Sequence, residues 1–190
     1  MDDTILSGDL RLSAHVAVPS RPGPSLGLVL CHGLPNPPRG AATVGTTYPD
    51  LADHIANEAG WVVLTFNFRG TGTSAGTHDQ GEGEQDDVIA AMNWMKKKHP
   101  GLPLIVGGFS FGAWVASRVA CEMADVRAVF LIGTPVNKYD FGYLRHCEKP
   151  ILFLHGTQDE HGDVDKIEKL SQQIRNAETM IITGADHFFT

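Results

Sequence analysis

The sequence predicts an α/β domain, a mostly parallel central sheet with helices on both of its faces. Three observations carry that expectation. Short apolar runs, such as residues 26–31 and 61–68 and the run that begins at Leu104, read as strands covered on both sides. Longer segments with apolar residues at helical spacing alternate with those runs. Strand-then-helix alternation favours parallel pairing, because a parallel neighbour is reached only by a crossover long enough to hold a helix.

In chain order, residues 10–18 alternate apolar and polar side chains (Leu10, Leu12, Ala14, Val16, Val18), the period of a half-exposed strand. Residues 19–24 carry turn chemistry. Residues 26–31 form a continuous apolar strand, followed by a Pro/Gly-rich loop over 32–45. The spacing predicts a helix over about 48–59 with Leu51 and Ile55 facing inward, and a buried strand over 61–68. Residues 69–83, rich in Gly, Thr and Ser, read as a loop. A helix over about 84–98 places Val88, Ala91 or Met92, and Met95 on one face, with acids at its start and Lys96, Lys97 and Lys98 at its end, where they complement the helix dipole. A strand and helix flank Ser110, and residues 128–132 and 151–155 are two more apolar strands. Val164, Ile167, Leu170 and Ile174 stripe one face of a last helix, and residues 180–183 form a final strand. With no internal repeat, low-complexity stretch or linker, residues 1–190 are expected to form one domain.

Composition narrows the function classes. A chain of 190 residues with 42% hydrophobic and 19% charged residues is that of a globular protein. A net charge of −7 and the lack of a Lys/Arg stripe argue against nucleic acid as a partner. No apolar run approaches a membrane span, and the acidic start Met1-Asp2-Asp3-Thr4 lacks the regions of a signal peptide, so neither a membrane nor secretion is expected. Of the three widely spaced cysteines, Cys31 and Cys121 read as small core residues, and a reducing cytoplasm is the default compartment.

The chemistry concentrates where the run from Leu104 meets Gly108-Phe109-Ser110-Phe111-Gly112 and an Ala- and Val-rich helical run follows. A serine hydroxyl is a poor nucleophile unless it is exposed, oriented and given a base. A sharp strand-to-helix turn supplies the exposure, with Gly108 and Gly112 small enough to let strand and helix pass closely. The Phe111 N–H then points from a helix N-terminus toward a forming oxyanion. Gly-x-Ser-x-Gly alone is a weak signal in a chain with 21 glycines, and Ser capping a helix is the plain alternative. Other strand exits raise its weight: His32-Gly33 after 26–31, Asp159 after 151–155, and His187 after the last strand. Neighbouring strand ends of an open α/β sheet converge on one crevice, as a Ser–His–acid system requires.

These residues, with Asn67-Phe68-Arg69-Gly70-Thr71-Gly72-Thr73-Ser74-Ala75-Gly76 and the final Gly184-Ala185-Asp186-His187-Phe188-Phe189, resemble an α/β-hydrolase over nearly the whole chain. Within that superfamily the chain looks most like the small, nearly cap-less bacterial serine hydrolases related to dienelactone hydrolases. Those use Cys as nucleophile where this chain has Ser110, so their substrate does not carry over. The resemblance implies the chain order Ser, acid, His, hence Ser110, Asp159 and His187 as catalytic residues. Asp159 fits the strand-end pattern His155-Gly156-Thr157-Gln158-Asp159, although Glu160, Asp163 and Asp165 crowd the same loop; Asp163 reads better as the N-cap of the next helix. Asp186 is expected to point elsewhere. The second oxyanion donor should come from the loop after 26–31, where Pro35 has no N–H and Leu34 is the natural choice beside Phe111. His32 reads as a loop brace and Arg69 as a loop organiser rather than an anion anchor. Phe111, Trp114, Phe141 and Tyr143 line a pocket or merely pack.

His155, Asp159, His161 and Asp163 fall close together but match no strong zinc spacing, and Gly70-x-Gly72 with Gly81 and Gly83 lacks the lysine of a phosphate loop. Neither a metal nor a cofactor is expected. Residues 133–149 are too few for a folded cap, so the site should be open, accepting short- to medium-chain esters. The chain ends at Thr190, where this fold normally continues into a C-terminal helix; the expectation is a truncated chain or a weakly anchored His187 loop, and an apolar patch coverable in a dimer. The expected activity is that of a serine carboxylesterase, as monomer or homodimer, on a small-molecule ester. An acyltransferase or perhydrolase on the same triad, and a non-catalytic binding module, are the alternatives.

Overall fold

The structure, a computed structural model, describes residues 1–21, 23–34, 42–43 and 46–190. Its main sheet has eight strands in the order β1 (Asp2–Ser7), β2 (Leu10–Ala17), β6 (Val62–Phe66), β3 (Gly27–Cys31), β7 (Leu104–Phe109), β8 (Val126–Ile132), β9 (Ile151–Gly156) and β10 (Ala177–Ile182). β2 runs antiparallel to both β1 and β6, and the other pairs are parallel. The central strands β3 and β6 are buried along their whole length, which is why they read as continuous apolar runs. Two strands too short to stand out pair with each other, β4 (Ala42–Thr43) within the expected loop 32–45 and β5 (Thr46–Thr47) just after it.

Successive strand residues alternate between the two faces of the sheet. Leu28, Leu30 and Val63 pack with Ala52 and Ala56 of α1 (Tyr48–Ala59). Val29, Cys31 and Leu64 pack on the opposite side with α2 (Gly83–Lys98), α3 (Phe111–Glu122) and α4 (Val164–Gln172). α1 starts at Thr47, whose hydroxyl accepts the Asp50 N–H at 3.2 Å, and stops at Gly60, left-handed at φ 73°. Its buried face is Tyr48, Ala52 and Ala56, whereas Leu51 and Ile55, expected to point inward, flank the contact half-buried. Small alanines let this helix lie close to the sheet. In α2, Val88, Ala91, Met92 and Met95 are all buried, as their spacing predicts. α4 buries Ile167 and Leu170 but ends at Gln172, so Ile174 is buried from the turn beyond it.

The structure adds one strand, corrects the reading of Cys121, and bears on one of the two alternatives for the end of the chain. β1 was not apparent in the sequence: of its six residues only Ile5 and Ser7 are buried. Cys121 is not a simple core residue but is joined to Cys147 by a disulfide, tying the end of α3 to the segment after the 3-10 turn Gly142–His146; Cys31 is free and buried as expected. The His187 loop is not loosely held. The Ala185 carbonyl accepts the Gln158 N–H at 2.9 Å, and a Cβ on Gly156 would stand 2.3 Å from that same carbonyl oxygen. Met180 and Ile182 of the edge strand β10, with Leu152 of β9, are exposed, the apolar patch expected there. Between β8 and β9 the only helical element among the described residues is that single 3-10 turn, too little for a cap. No described helix is long and apolar enough to cross a membrane.

Candidate active site

Ser110 stands between β7 and α3 at φ 53° and ψ −120°, a conformation that L-residues rarely adopt. Such strain persists only where surrounding packing imposes it. Here both flanking glycines impose it: a Cβ on Gly108 would lie 2.4 Å from the backbone of Gly112, and one on Gly112 would lie 2.3 Å from the His32 carbonyl oxygen. The Ser110 N–H is spent on the Ile132 carbonyl at 2.9 Å, fixing the turn to β8. The hydroxyl is thereby lifted to the C-terminal edge of the sheet.

The loop after β10 delivers His187, which is 3% exposed. Its Nε2 is 2.9 Å from Ser110 Oγ and its Nδ1 is 2.8 Å from Asp159 Oδ2. With a carboxylate facing Nδ1, that nitrogen carries the proton, leaving the Nε2 lone pair for the serine O–H. Gly133 adopts φ 54°, and a Cβ on it would stand 3.3 Å from the imidazole, so this glycine makes room for the ring. Phe109 and Phe188 pack on the same ring, with centroids at 4.9 and 5.3 Å.

Asp159 lies in the loop after β9, its side chain fully buried. Oδ1 accepts the His161 N–H at 2.8 Å, leaving Oδ2 to His187. Burial works to raise the Asp159 carboxyl, but the hydrogen bonds from His187 and the His161 N–H outweigh it and hold it below the usual carboxylate range. The competing acids are occupied otherwise. Asp163 precedes α4 at the N-cap position, yet its carboxylate makes no capping bond and instead accepts from Asn137 and Lys166, each at 3.0 Å. The Asp186 carboxylate folds back onto the Phe188 and Thr190 N–H groups, pointing elsewhere as expected. Of the four side chains grouped by proximity as conceivable metal ligands, His155 donates from Nε2 to the Gly162 carbonyl at 2.6 Å, so it serves the acid loop.

The loop after β3 supplies the opposite wall. A Cβ on Gly33 would stand 3.2 Å from Ser110 Cβ, and Leu34 is the next residue along this wall. Pro35, whose missing N–H singled out Leu34, lies outside the described residues. Phe111 is the first residue of α3, where N–H groups have no intrahelical acceptor. His32 is the loop brace that the sequence suggested. Its Nδ1 donates to the Gly33 carbonyl at 2.5 Å and its Nε2 accepts the Phe68 N–H at 3.0 Å, which fixes a neutral tautomer. Complete burial lowers its pKa to about 4.

Arg69 is likewise an organiser. Its Nη2 pairs with the buried Asp87 at 2.7 Å, and its backbone N–H donates to the same carboxylate at 2.9 Å. Reasoning from sequence missed Glu84, fully buried, which accepts the Asp79 and Gly81 N–H groups and meets His78 Nδ1 at 2.7 Å, shaping the 69–83 loop. It also missed the stacking of Tyr139 on Trp114, with centroids 4.4 Å apart, and the approach of His161 to His187. Phe141 and Phe111 are core residues, and the half-buried Tyr143 bonds Ser117 Oγ through its hydroxyl at 2.8 Å and lines a surface cleft with Arg118 and Val119.

The fold belongs to a known family. The sequence model of the alpha/beta hydrolase fold matches residues 28–146, and the chain belongs to that family. It is 34% identical to an uncharacterised protein of Rickettsia prowazekii, over 94% of this chain and 78% of that one. Among solved structures it resembles an alpha-beta serine hydrolase homologue from Coxiella burnetii, with a TM-score of 0.86 and 28% identity over 99% of this chain and 89% of the other. It also resembles a serine hydrolase without a lid from Xanthomonas campestris, with a TM-score of 0.79 and 27% identity over 100% of this chain and 86% of that one.

Proposed function

We propose that this protein is a serine carboxylesterase, with Ser110 as nucleophile, His187 as general base and acid, Asp159 as the orienting carboxylate, and the Leu34 and Phe111 N–H groups as oxyanion donors. The observation that carries the reading is the unbroken contact from Ser110 Oγ through His187 to Asp159, at 2.9 and 2.8 Å. Ser110 Oγ attacks the acyl carbonyl while its proton passes to His187 Nε2. Asp159 stabilises the imidazolium, and the two N–H groups receive the oxyanion. Collapse of the tetrahedral intermediate expels the alkoxide, which takes the proton from His187. Water activated by His187 then hydrolyses the acyl-enzyme.

Small esters fit this reading because the 133–149 segment carries no folded cap and alkoxides leave more easily than amines. The lid-less Xanthomonas relative supports it. The cytoplasm is the proposed compartment, and an intact Cys121–Cys147 bridge in protein taken directly from cells would overturn that assignment. The test of function is hydrolysis of p-nitrophenyl esters from acetate to palmitate by the wild type and Ser110→Ala. Turnover confined to short and medium chains and lost in the mutant is the expected result. Equal rates in both proteins, or strong preference for palmitate, would overturn the reading.

A further inference from the structure

His161 is held at three points around the candidate triad. Its N–H donates to Asp159 Oδ1 at 2.8 Å, and its carbonyl accepts the Asn137 N–H at 3.0 Å. Its ring meets the His187 ring edge-to-face, with centroids 4.4 Å apart and planes at 70°. One residue therefore touches both the acid and the base. No hydrogen bond runs from its ring to substrate-reactive atoms, so any contribution is through His187 and Asp159.

The charged groups around the ring define the form in which it works. Lys138 Nζ lies 3.4 Å from His161 Nε2. An ammonium has only donors to offer, so this contact favours a neutral ring whose Nε2 accepts and whose Nδ1 carries the proton. Glu160 Oε1, 3.6 Å from the same nitrogen, pulls the other way; it and Lys138 are both exposed, so water screens the two alike. Asp159, on the same loop, also favours the cation, while His187 opposes it. Burial, His187 and Lys138 together hold His161 below the ordinary histidine pKa. A neutral ring presents packing surface to His187 without opposing the positive charge that develops there. A protonated one would place a second cation against it.

We propose that His161 is a positioning residue for the catalytic base, effective only while neutral: it fixes the His187 imidazole by ring contact and Asp159 by its N–H. The proposal rests on the esterase reading above. Two consequences distinguish it from a merely structural role. Truncating the ring should lower kcat while leaving KM nearly unchanged, and an uncharged aromatic ring should restore it. In the wild type, protonation of His161 should add its own loss of activity in acid, a step that the aromatic variant should lack.

The experiment follows p-nitrophenyl acetate hydrolysis from about pH 4 to about pH 9 for the wild type, Ser110→Ala, His161→Ala and His161→Phe. Proton NMR of the downfield His187 Nδ1–H signal is recorded on the same proteins. His161→Ala should lose about tenfold in kcat, and His161→Phe should recover most of it. The acid limb of log kcat/KM should steepen toward a two-proton slope in the wild type and keep a one-proton slope in His161→Phe. The downfield resonance should broaden in His161→Ala and persist in His161→Phe. Wild-type turnover with the same acid slope in both proteins, or an unchanged resonance in His161→Ala, would overturn the proposal. Absence of wild-type turnover with the expected NMR response would overturn the esterase reading while supporting the positioning role.

Discussion

The Cβ that Gly112 lacks would fall 2.3 Å from the carbonyl oxygen of His32. The start of α3 is therefore pressed against the exit of β3, and this contact sets Ser110 beside the loop that carries Leu34. Backbone on both sides leaves nothing soft to yield. Gly112→Ala should cost several kcal/mol of stability, or shift the helix start and reduce ester turnover by about a hundredfold. Thermal unfolding and kcat measured together would show which; a variant equal to the wild type in both would mean that helix and loop are not in contact.

The acid should be the second most sensitive position. Asp159 holds the proton on His187 Nδ1, and an amide there could donate to that nitrogen and stabilise the wrong tautomer. Asp159→Asn should lower kcat by about ten-thousandfold with the fold intact. Retention of more than about a tenth of the activity would transfer the role to another carboxylate, with Glu160 the first to substitute.

Much of this site was legible because it sits at strand ends. Ser110 lies in a local motif whose glycines answer a local steric need, Asp159 follows the partly buried β9, and His187 follows the last strand-like run, an edge strand with no buried residue. The continuous apolar run of β3 and the spacing in α2 were equally readable. What escaped depends on contacts between distant segments. β1 begins Asp2-Asp3-Thr4 and buries few side chains, so its sequence carries little strand signal. Glu84 looks like an ordinary acid in a first helical turn, yet it is buried under loop N–H groups. The ring contact of His161 exists only because two loops meet, and the spacing of Cys121 and Cys147 says nothing of their pairing.

His32 gives a pH-dependent stability with a definite sign. Its folded pKa of about 4 lies below the unfolded value of about 6.5, so the unfolded chain binds more protons between them. The neutral, bonded ring therefore contributes fully above about pH 6.5, and that contribution is lost as pH falls toward about 4, on the order of 3 kcal/mol in all. Asp159 adds in the same direction at lower pH: its depressed carboxyl stabilises the fold above the unfolded value near 3.9 and ceases to as pH falls through the folded value. Denaturant unfolding at pH 7 and pH 5 should show the loss in the wild type, and His32→Gln should be less stable at pH 7 but flatter across that interval. An equal slope in the two proteins would remove His32 as its source.

The Arg69–Asp87 pair should matter more than its distance from the chemistry suggests. Asp87 is fully buried and accepts both the guanidinium and the Arg69 N–H, so removing the cation strands a charge in the core. Arg69→Ala should destabilise the protein by about 3–5 kcal/mol. Replacing both, as Arg69→Met with Asp87→Leu, should recover part of that loss, because no buried charge is left uncompensated. The double variant would still lack the bond to the Arg69 N–H, so the 69–83 loop should exchange its amides faster than in the wild type. Equal stability of Arg69→Ala and wild type in denaturant would show that water reaches Asp87.

The Cys121–Cys147 bridge closes a loop with a sequence separation of 26 residues. Closing such a loop removes conformational freedom from the unfolded chain, a stabilisation of about 3 kcal/mol. The loop contains the whole of β8, the residues that pack behind Trp114, and Gly133 against His187. Its anchorage should therefore influence unfolding more than chemistry, since β8 is also held by β7 and β9. Cys147→Ser should lower the unfolding midpoint in urea by an amount matching that value while leaving kcat on p-nitrophenyl acetate within about twofold, and wild type treated with dithiothreitol should behave as the variant does. A reduced wild type that unfolds at the oxidised midpoint would mean that the two sulfurs are neighbours in the fold without contributing to its stability.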